Sequence, residues 1–447
     1  MQSNSVPLGW LDCSLGNAIV RVVGGGTPSR SIPGYWVGNI PWASVKDFTD
    51  DTKWLSETEE HISPAGLASS TANLIEPGIP IVCTRMAVGR AAIPLKPIAI
   101  NQDLKALYPH KYLDPRYLLI LLNFIRPRFE ALSIGSTVKG INVDQLLAVR
   151  VCFPPLDEQR RIVEILDTID STIAHTSSLI AKLKQMKAGL LHDLLTRGLD
   201  ENGELRDAIG HPEQFKDSLL GRIPQDWEVT TLGTVVVRSG GFLQTGPFGS
   251  QLHAYEYVDA GVPVIMPQDI QDGQISDFQI THISPAKAGT LARHQVEIND
   301  VVFARRGDLE RCAFIGKREI GWLCGTGCLL VRVPGKEIDC RWLAATYRHE
   351  RSQRQILARA VGSTMVNLNS TLLSDLLIAK PTYLEQTAIV RVLDTYDKRI
   401  RTEQAYRDKL KLQKKGLMHD LLTGKVRVNS AKPVKEDTSQ LAALTKA

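Results

Sequence analysis

The stretches GLLHDLLTRG (residues 189–198) and GLMHDLLTGK (residues 416–425) are two copies of one helix end. Aligning residues 154–196 with residues 381–423 needs no gap, and 21 of the 43 positions are identical. Every matched residue in this span is displaced by 227 positions, as His192 and His419 show. The chain therefore contains an internal duplication, and we expect its two halves to share one fold.

Each repeated segment has the heptad spacing of a coiled-coil helix. Prolines precede both segments, and Gly198 and Gly424 follow them as C-terminal stop signals. The predicted apolar seams are Ile162, Leu166, Ile169, Ile173, Ile180, Leu183, Leu190 and Leu194 in the first helix, and Ile389, Leu393, Tyr396, Ile400, Leu410, Leu417 and Leu421 in the second. A helix of about 40 residues is about 60 Å long. Since each seam needs a partner, we expect the two helices to pack together, antiparallel.

Four charged residues occupy seam positions. Lys187 and Lys414 are matched by the repeat, and a polar seam residue typically fixes the register of a helix pair. Glu403 and Arg407 interrupt only the second seam. They predict either a discontinuity in the helical packing or a contact with partners.

The segments that precede the helices are also related. VPLGWLDCSLG from Val6 corresponds to IPQDWEVTTLG from Ile223, and IGSTVKGIN, ending at Asn142, corresponds to VGSTMVNLN, ending at Asn369. Short β-rich runs such as IPIVC, VPVIM, DVVFA and CLLVRV are broken by Gly and Pro, whereas RYLLILLNFIRPRFEAL and RWLAATYRHERSQRQIL have helical patterns. Each segment is therefore a mixed α/β (α+β) globule.

These patterns predict five regions along the chain. A first globular domain covers residues 1–153, a central spacer helix 154–198, and a linker with a second globular domain 199–380. A C-terminal spacer helix covers residues 381–426, and a flexible tail 427–447.

Composition bounds the class of protein. The chain has 447 residues, of which 43% are hydrophobic and 23% charged, as is typical of a globular protein with several domains. Its net charge of +5 is compatible with nucleic-acid binding. It has no run of 18 apolar residues, and its N-terminus lacks the features of a signal peptide, so we expect a cytoplasmic protein. The only close pair among seven cysteines, Cys324 and Cys328, is a weak metal signal, and packing in a strand is the alternative.

Motifs for catalysis are missing. There is no GxxxxGK[ST], HExxH or GxSxG motif, no Asn/Asp-Pro-Pro-aromatic segment and no Pro-Asp dipeptide. The repeated His192-Asp193 and His419-Asp420 pairs could be metal ligands, but adjacent helical residues point about 100° apart. Contact with a neighbouring element is the simpler interpretation. No metal or catalytic residue is assigned.

Basic and polar loops remain as candidate binding elements. Arg305, Arg306 and Arg311 follow one strand-like run, and Arg85 and Arg90 follow its counterpart. Arginine suits phosphates and guanine edges, so these loops predict one shared surface for a polyanion. Four further arginines, Arg348, Arg351, Arg354 and Arg359, form either a phosphate-facing helical stripe or a solvated face.

The chain resembles the specificity subunits of type I restriction–modification systems. The motifs that carry the resemblance are W…LG (Trp10, Leu15-Gly16 and again Trp227, Leu232-Gly233), GGGTPSRS…YWVGNIPWASVKD, GSTVKGINVDQL, PPLDEQRRIVEIL and LMHDLLTGKVRV, over residues 5–428. The resemblance implies two similar target-recognition domains, related by a pseudo-twofold internal repeat and joined by two long antiparallel coiled-coil helices. It implies no catalytic site in this chain, which would itself bind no cofactor.

The resemblance also implies partners. Two modification subunits would methylate adenine with S-adenosylmethionine, and added restriction subunits would make an endonuclease that uses ATP and Mg²⁺. The target would be double-stranded DNA with two different half-sites, and the helices would set the gap between them. The candidate base contacts are Arg30, Tyr35, Arg85, Arg90 and Lys139 in the first domain, and Gln244, Thr245, Gln268, Arg305, Arg306 and Arg311 in the second. The alternatives are a nucleic-acid-modifying enzyme with a nonstandard site and a coiled-coil scaffold that does not bind DNA.

Overall fold

A computed structural model describes residues 6–134, 139–271, 273–360 and 367–428. The chain forms two compact units, one made of residues 1–177 with 405–447 and the other of residues 178–404. Most of the predicted tail, residues 429–447, lies outside the described residues, as do residues 135–138 and 361–366 of the two GST motifs. None of the described helices combines the length and apolar character that crossing a bilayer requires.

The first unit is built on the first globular segment. Its strands are β1 (Leu11–Ser14), β2 (Ile19–Gly24), β3 (Ile40–Ala43), β4 (Trp54–Leu55), β5 (Glu60–Ile62), β6 (Asn73–Ile75), β7 (Ile81–Cys83), β8 (Ala91–Pro94), β9 (Ile98–Ile100), β10 (Leu104–Pro109) and β11 (Arg150–Phe153). Its helices are α1 (Pro64–Ala68), α2 (Pro115–Leu132), α3 (Val143–Ala148) and the start of α4 (Leu156–Thr196), with 3₁₀ turns at Leu15–Ala18, Pro33–Tyr35 and Val45–Asp47.

The second unit is built on the second segment. Its strands are β12 (Phe215–Lys216), β13 (Ile223–Pro224), β14 (Glu228–Thr231), β15 (Phe242–Thr245), β16 (Tyr257–Val258), β17 (Val262–Ile265), β18 (Ile270–Gln271), β19 (Gln274–Ile275), β20 (Thr281–Ile283), β21 (Val301–Ala304), β22 (Cys312–Phe314), β23 (Leu323–Cys324), β24 (Cys328–Arg332) and β25 (Leu377–Lys380). Its helices are α5 (Leu232–Arg238), α6 (Pro285–Thr290), α7 (Cys340–Arg348), α8 (Glu350–Ala360), α9 (Ser370–Ser374) and the start of α10 (Tyr383–Leu422), with 3₁₀ turns at Pro212–Gln214, Ala254–Glu256, Pro267–Asp269 and Ala292–His294.

The two units share one sheet topology. The order β2-β10-β7-β8 recurs as β15-β24-β21-β22, and the pair β1-β11 recurs as β14-β25. A second sheet places β3 between antiparallel β5 and parallel β9, just as β17 lies between antiparallel β20 and parallel β23. The predicted duplication of an α/β globule is confirmed at the level of strand pairing.

The helical prediction for the second segment needs one correction. RWLAATYRHERSQRQIL is divided into α7 and α8 at His349, which has extended backbone angles and separates the two helices. Its counterpart α2 is one helix of 18 residues with Pro127 inside it. The His349 ring caps the second helix, because its Nδ1 accepts the Arg351 amide at 3.3 Å. Sequence periodicity alone does not show such a break.

The long helices are paired antiparallel within each unit. In the first unit, Lys414 contacts Asp170 at 2.6 Å, and Arg427, beyond the end of α10, contacts Glu158 at 2.8 Å. Residue numbers therefore rise along α4 as they fall along α10. In the second unit, Lys187 of α4 contacts Asp397 of α10 at 2.5 Å, and Leu199, beyond the end of α4, donates to Glu385 near the start of α10, which gives the same antiparallel order. The predicted antiparallel pairing is confirmed in both units.

The apolar seams are buried or half-buried, with one exception. Ile162, Leu166 and Leu421 pack in the core of the first unit, and Leu194, Ile389 and Leu393 in the core of the second. The exception is Leu417, which is 37% exposed. Its neighbour Met418 packs on the core instead. An α-helix drifts about 20° per heptad from a 3.5-residue repeat, so the contacting face moves one residue along.

The Glu-Gln pair that occurs in both repeats makes the same contacts in each unit. Gln386 accepts the Asp339 amide at 2.8 Å and donates to the Pro381 carbonyl, and Gln159 does the same with Asp114 and Pro154. Both glutamines are completely buried. Each therefore ties the start of a long helix to the start of a domain helix, α7 or α2.

The glutamate of each pair holds the end of the other long helix. Glu385 accepts the Leu199 amide at 2.8 Å and binds Arg206 at 2.6 Å, while Glu158 accepts the Val428 amide at 3.1 Å and binds Arg427. The stop glycine Gly198 has a φ of +67°, and a Cβ there would lie 2.3 Å from Glu385 Oε1. The repeated helix end is therefore a docking element for the repeated helix start.

Candidate nucleic-acid interface

The loop between β7 and β8 brings two predicted base contacts together. Arg85 forms a bridge with Gly140, and its guanidinium lies 3.6 Å from the Asp103 carboxylate with 57% of the side chain exposed. Lys139 is also exposed, and its carbonyl accepts the Met86 amide at 2.9 Å. Two cations thus lie side by side on the surface of the first domain, where they can meet phosphate or base edges.

Arg90, also predicted to contact bases, makes several intramolecular contacts. Its Nε lies 3.0 Å from Asp50 Oδ1, and its Nη1 donates to the Phe48 carbonyl at 2.8 Å. Arg126 also contacts Asp50 at 2.6 Å, and together Arg126 and Arg90 lower the pKa of that carboxyl. With Nε and Nη1 engaged and 28% of its side chain exposed, Arg90 anchors the loop to residues 48–50.

Arg30 and Tyr35 lie in the loops of the other sheet. The Arg30 guanidinium stacks over the Trp36 ring at 3.5 Å and binds Glu60 with both terminal nitrogens, which lowers the pKa of Glu60. Tyr35 is half-buried in a 3₁₀ turn, and its carbonyl accepts the Ser63 amide at 2.9 Å. Half of the Arg30 side chain is still exposed, so the stack holds a planar donor in a defined direction.

The loop between β21 and β22 repeats this arrangement in the second domain. Arg306 is exposed, as Arg85 is. Arg305 is half-buried, and its Nε donates to the Leu368 carbonyl at 3.2 Å. Arg311 corresponds to Arg90 and binds Asp308 at 3.2 Å within the loop. Of the three predicted arginines, Arg306 is therefore the one presented to solvent.

The remaining predicted contacts of the second domain border this loop or its sheet. Arg311 also donates to the Pro267 carbonyl at 3.4 Å, which places the exposed Gln268 beside the loop. Gln244 and Thr245 end β15, and the Gln244 amide binds the Arg293 carbonyl. Gln268 is thus brought to the arginine loop, while the amide of Gln244 is directed to the 3₁₀ turn that contains Arg293.

The predicted arginine stripe is not one continuous face. Arg348 donates to the Ala344 carbonyl, and Arg351 is half-buried with a hydrogen bond to the Arg222 carbonyl at 3.2 Å. Burial lowers the pKa of the Arg351 guanidinium. Arg354 is exposed but paired with Glu350 at 2.7 Å. The helix break at His349 separates Arg348 from the other arginines. The three-residue spacing of Arg348, Arg351 and Arg354 therefore does not place them on one continuous helix face.

One group of potential metal ligands occurs among the described residues. His192 Nδ1 lies 3.3 Å from His349 Nε2 and 3.8 Å from a Glu350 oxygen. However, His349 Nδ1 accepts the Arg351 amide, so Nε2 carries the ring proton and has no free lone pair for a cation. Arg354 engages Glu350 as well. The contact agrees with the prediction that His192 meets a neighbouring element.

The cysteine pair is part of the core. Cys324 and Cys328 are completely buried in β23 and β24, and desolvation raises the pKa of both thiols. The Cys328 thiol donates to the Ile265 carbonyl at 3.4 Å. Both residues therefore pack in the strands of the second unit, in agreement with the packing interpretation.

Comparison with known proteins gives the same organisation. The sequence profile described as "Type I restriction modification DNA specificity domain" matches residues 10–185 and again residues 224–412. The MjaVIII type I restriction enzyme specificity subunit of Methanocaldococcus jannaschii is 23% identical over 441 residues, which are 96% of each chain. A putative MjaX specificity subunit of the same organism is 26% identical over 74% of this chain and 72% of its own.

Solved structures share the fold. A chain from a study of complex assembly and conformational transition of a type I restriction–modification system has a TM-score of 0.59 and 17% identity, covering 94% of this chain and 100% of that one. The S subunit of such a system from M. genitalium has a TM-score of 0.53 and 16% identity, covering 94% and 98%. With two domain matches that together span most of the sequence, the chain belongs to the type I restriction–modification DNA specificity family.

Proposed function

We propose that this chain reads a bipartite, asymmetric double-stranded DNA target, one half with each globular domain, and carries out no chemistry itself. The observation that carries the proposal is the pair of matched loops. Residues 84–90 and 305–311 connect equivalent strands and present an exposed arginine at the same position, Arg85 or Arg306. The side chains around that arginine differ between the loops. One scaffold with two sets of side chains suits two different half-sites.

The charge distribution supports DNA as the ligand. Arg85, Lys139 and Arg306 are exposed cations on loops, and the chain as a whole carries a net charge of +5. Phosphate contacts of this kind give affinity and orientation, whereas contacts to base edges give specificity. We assign Arg85 and Arg306 to the DNA surface first, with Arg30, Lys139 and Gln268 as further contacts.

We further propose two modification subunits and added restriction subunits as partners. The family works in restriction–modification, and a duplicated scaffold offers equivalent docking positions for two copies of one methylating partner. S-adenosylmethionine, ATP and Mg²⁺ would then be used by those partners and not by this chain. Since the DNA in question is inside the cell, we propose the cytoplasm as its location.

The test is to express the chain with its own modification subunits in cells that lack adenine methylation, and to map the methylated adenines. We expect one interrupted sequence with two unlike halves. Arg306→Ala should relax or change the half read by the second domain and leave the other half intact, and Arg85→Ala should do the converse. A single continuous site, or a change in both halves from one substitution, would contradict the assignment of one half-site to each domain.

A second assay addresses the catalytic alternative. The purified chain is incubated alone with DNA, S-adenosylmethionine, ATP and Mg²⁺, and methylation and strand breaks are measured. No product is expected. A reaction by the isolated chain would favour a nucleic-acid-modifying enzyme. A salt-dependent gel shift with the assembled complex separates DNA binding from a purely structural scaffold, because phosphate contacts weaken steeply with salt.

A further inference from the structure

A tight turn presents Met86 at the tip of the β7–β8 loop. Met86 has a φ of +61°, and the Ala87 amide donates to the Arg85 carbonyl at 2.7 Å, which closes a three-residue turn around it. The Met86 amide donates to Lys139, and Gly89 donates to Cys83 at 2.9 Å, so both sides of the loop are held by backbone hydrogen bonds. Its side chain is nevertheless 64% exposed. The loop is therefore a hydrogen-bonded support for an exposed apolar side chain.

The second repeat shows what this position requires of the backbone. Gly307 occupies the equivalent site, with a φ of +77° between the same flanking strands. Glycine adopts this left-handed conformation without strain, whereas a side chain at Cβ rarely does. A Cβ on Gly307 would meet no atom within 4 Å. The same left-handed backbone conformation thus occurs with glycine, and we infer that folding does not require methionine at this position.

The surroundings of Met86 point to a nucleic-acid ligand. Arg85 precedes it and exposed Lys139 lies beside it, so cations flank the apolar tip. A cavity of about 340 Å³ adjoins the tip and is bordered by Arg126 and Glu130, which pair with each other at 2.7 Å. Phosphates would be drawn to the flanking cations and bring base edges to the tip. A strained, exposed residue held in such a place is a candidate for function.

We propose that Met86 is a specificity-determining residue of the first domain, and that its side chain contacts the C5-methyl group of a thymine in the major groove. The inference rests on the proposed function, because it requires that this loop face DNA. A thioether side chain offers no strong hydrogen bond, and the thymine methyl is the one apolar group that a base presents in that groove. Gly307 offers no such contact, so the second domain would lack this preference.

The experiment replaces each thymine of the mapped target with deoxyuridine, one at a time, and measures binding by the assembled complex. Removing one methyl group from an apolar contact should weaken wild-type binding about fourfold at a single position of the first half-site. Met86→Gly should weaken binding to the thymine target and should show no further loss at that deoxyuridine. Met86→Leu should restore most of the methyl dependence, since it restores an apolar side chain.

Two measurements separate folding from recognition. Met86→Gly should leave the thermal unfolding midpoint unchanged or raised, because glycine adopts this left-handed conformation without strain, as Gly307 does. Gln279→Gly removes another exposed left-handed side chain, with a φ of +60°, in the second unit and should not alter the deoxyuridine response of the first half-site. If wild type binds its target specifically but Met86→Gly changes the deoxyuridine response at no thymine, or the first half-site contains no thymine, the inference about Met86 is wrong while the proposed function stands. If wild type has no sequence preference, the proposed function fails first.

Discussion

The Lys187 ammonium lies 2.5 Å from the Asp397 carboxylate of the facing helix, and Lys414 lies 2.6 Å from Asp170 in the other unit. Both lysines and both aspartates are separated by 227 positions, so the duplication reproduced one ion pair in each unit. These lysines occupy predicted seam positions, where a charged residue needs a partner on the facing helix. The finding supports the prediction that they fix the register of the helix pair.

A charge exchange tests that role. Lys187→Asp should lower the free energy of unfolding by about 1 kcal/mol, a modest loss because the Asp397 side chain is 37% exposed. Adding Asp397→Lys should recover most of that loss, as measured by urea denaturation. Lys414→Asp is the matched variant in the first unit. Asp170 also binds Lys53 there, so exchange at that site should recover less. Strict additivity of Lys187→Asp and Asp397→Lys would show that the pair is not coupled.

The two buried glutamates should differ in importance. Glu385→Ala leaves the Trp227 indole N–H without its acceptor and leaves Arg206, which is 11% exposed, with only Asp226 as an acidic partner, so a loss of about 2–4 kcal/mol is expected. Glu158→Ala leaves Arg427, which is 31% exposed and can be hydrated, so the loss should be about 1–2 kcal/mol. Calorimetry of both variants gives the order. Equal losses would mean that solvent access to the arginine does not decide the cost.

Acid sensitivity of the second unit should depend on His349. Burial, with the neighbouring His192 and Arg351, lowers the pKa of His349 to about 4 from an ordinary 6.5. The unfolded chain therefore binds more protons between these values, and stability falls as pH drops from about 6.5 towards 4. The equivalent residue of the first repeat is Phe124, so phenylalanine is a suitable replacement for His349.

His349→Phe should remove this contribution. The measurement is the difference in unfolding free energy between wild type and variant across pH 4 to 7. Wild type should lose more stability than the variant as the pH falls, while the shifted His294 remains in both proteins. A constant difference over the whole range would contradict a titrating role for His349. The His419→Ala variant serves as the control in the first unit.

Arg85 and Arg90 should separate binding from folding. Arg85→Ala removes an exposed cation and should weaken DNA binding by the assembled complex about tenfold, with an unchanged melting temperature. Arg90→Ala breaks contacts to Asp50 and Phe48 and should lower the melting temperature by several degrees. Thermal melts and gel shifts on both variants decide the matter. A stable Arg90→Ala protein with the larger loss of DNA binding would reverse these assignments.

The gap between half-sites should respond to helix length. The boundary between units falls after Ser177 in α4 and after Gln404 in α10, again 227 positions apart. Four residues inserted at both places lengthen each helix by about 6 Å, and a base pair rises about 3.4 Å. The gap in the methylated sequence should therefore grow by one or two base pairs. An unchanged gap would show that the helices do not measure it.

Some of the site could be predicted because the repeat supplied a comparison. The strand ends predict two matched groups of arginines, Arg85 and Arg90 in one repeat and Arg305, Arg306 and Arg311 in the other. The structure then pairs Arg85 with Arg306 and Arg90 with Arg311 at equivalent points of one loop. That the first pair is exposed and the second is half-buried could not be found in this way, because Asp50 lies 40 residues before its partner Arg90. Met86 was missed, although its alignment with Gly307 is the signal that identifies its unusual backbone.

The sequence by itself determined the duplication, the two long helices and their antiparallel pairing. Identity at a constant spacing and apolar heptads are recorded in linear order, and two exposed seams in one chain have to cover each other. Tertiary structure alone decided the shift of the buried face from Leu417 to Met418, the helix break at His349, and which arginines stay exposed. The exposure of the arginines, for example, depends on contacts such as Arg30 with Glu60 and Arg90 with Asp50, which join residues that no local pattern connects.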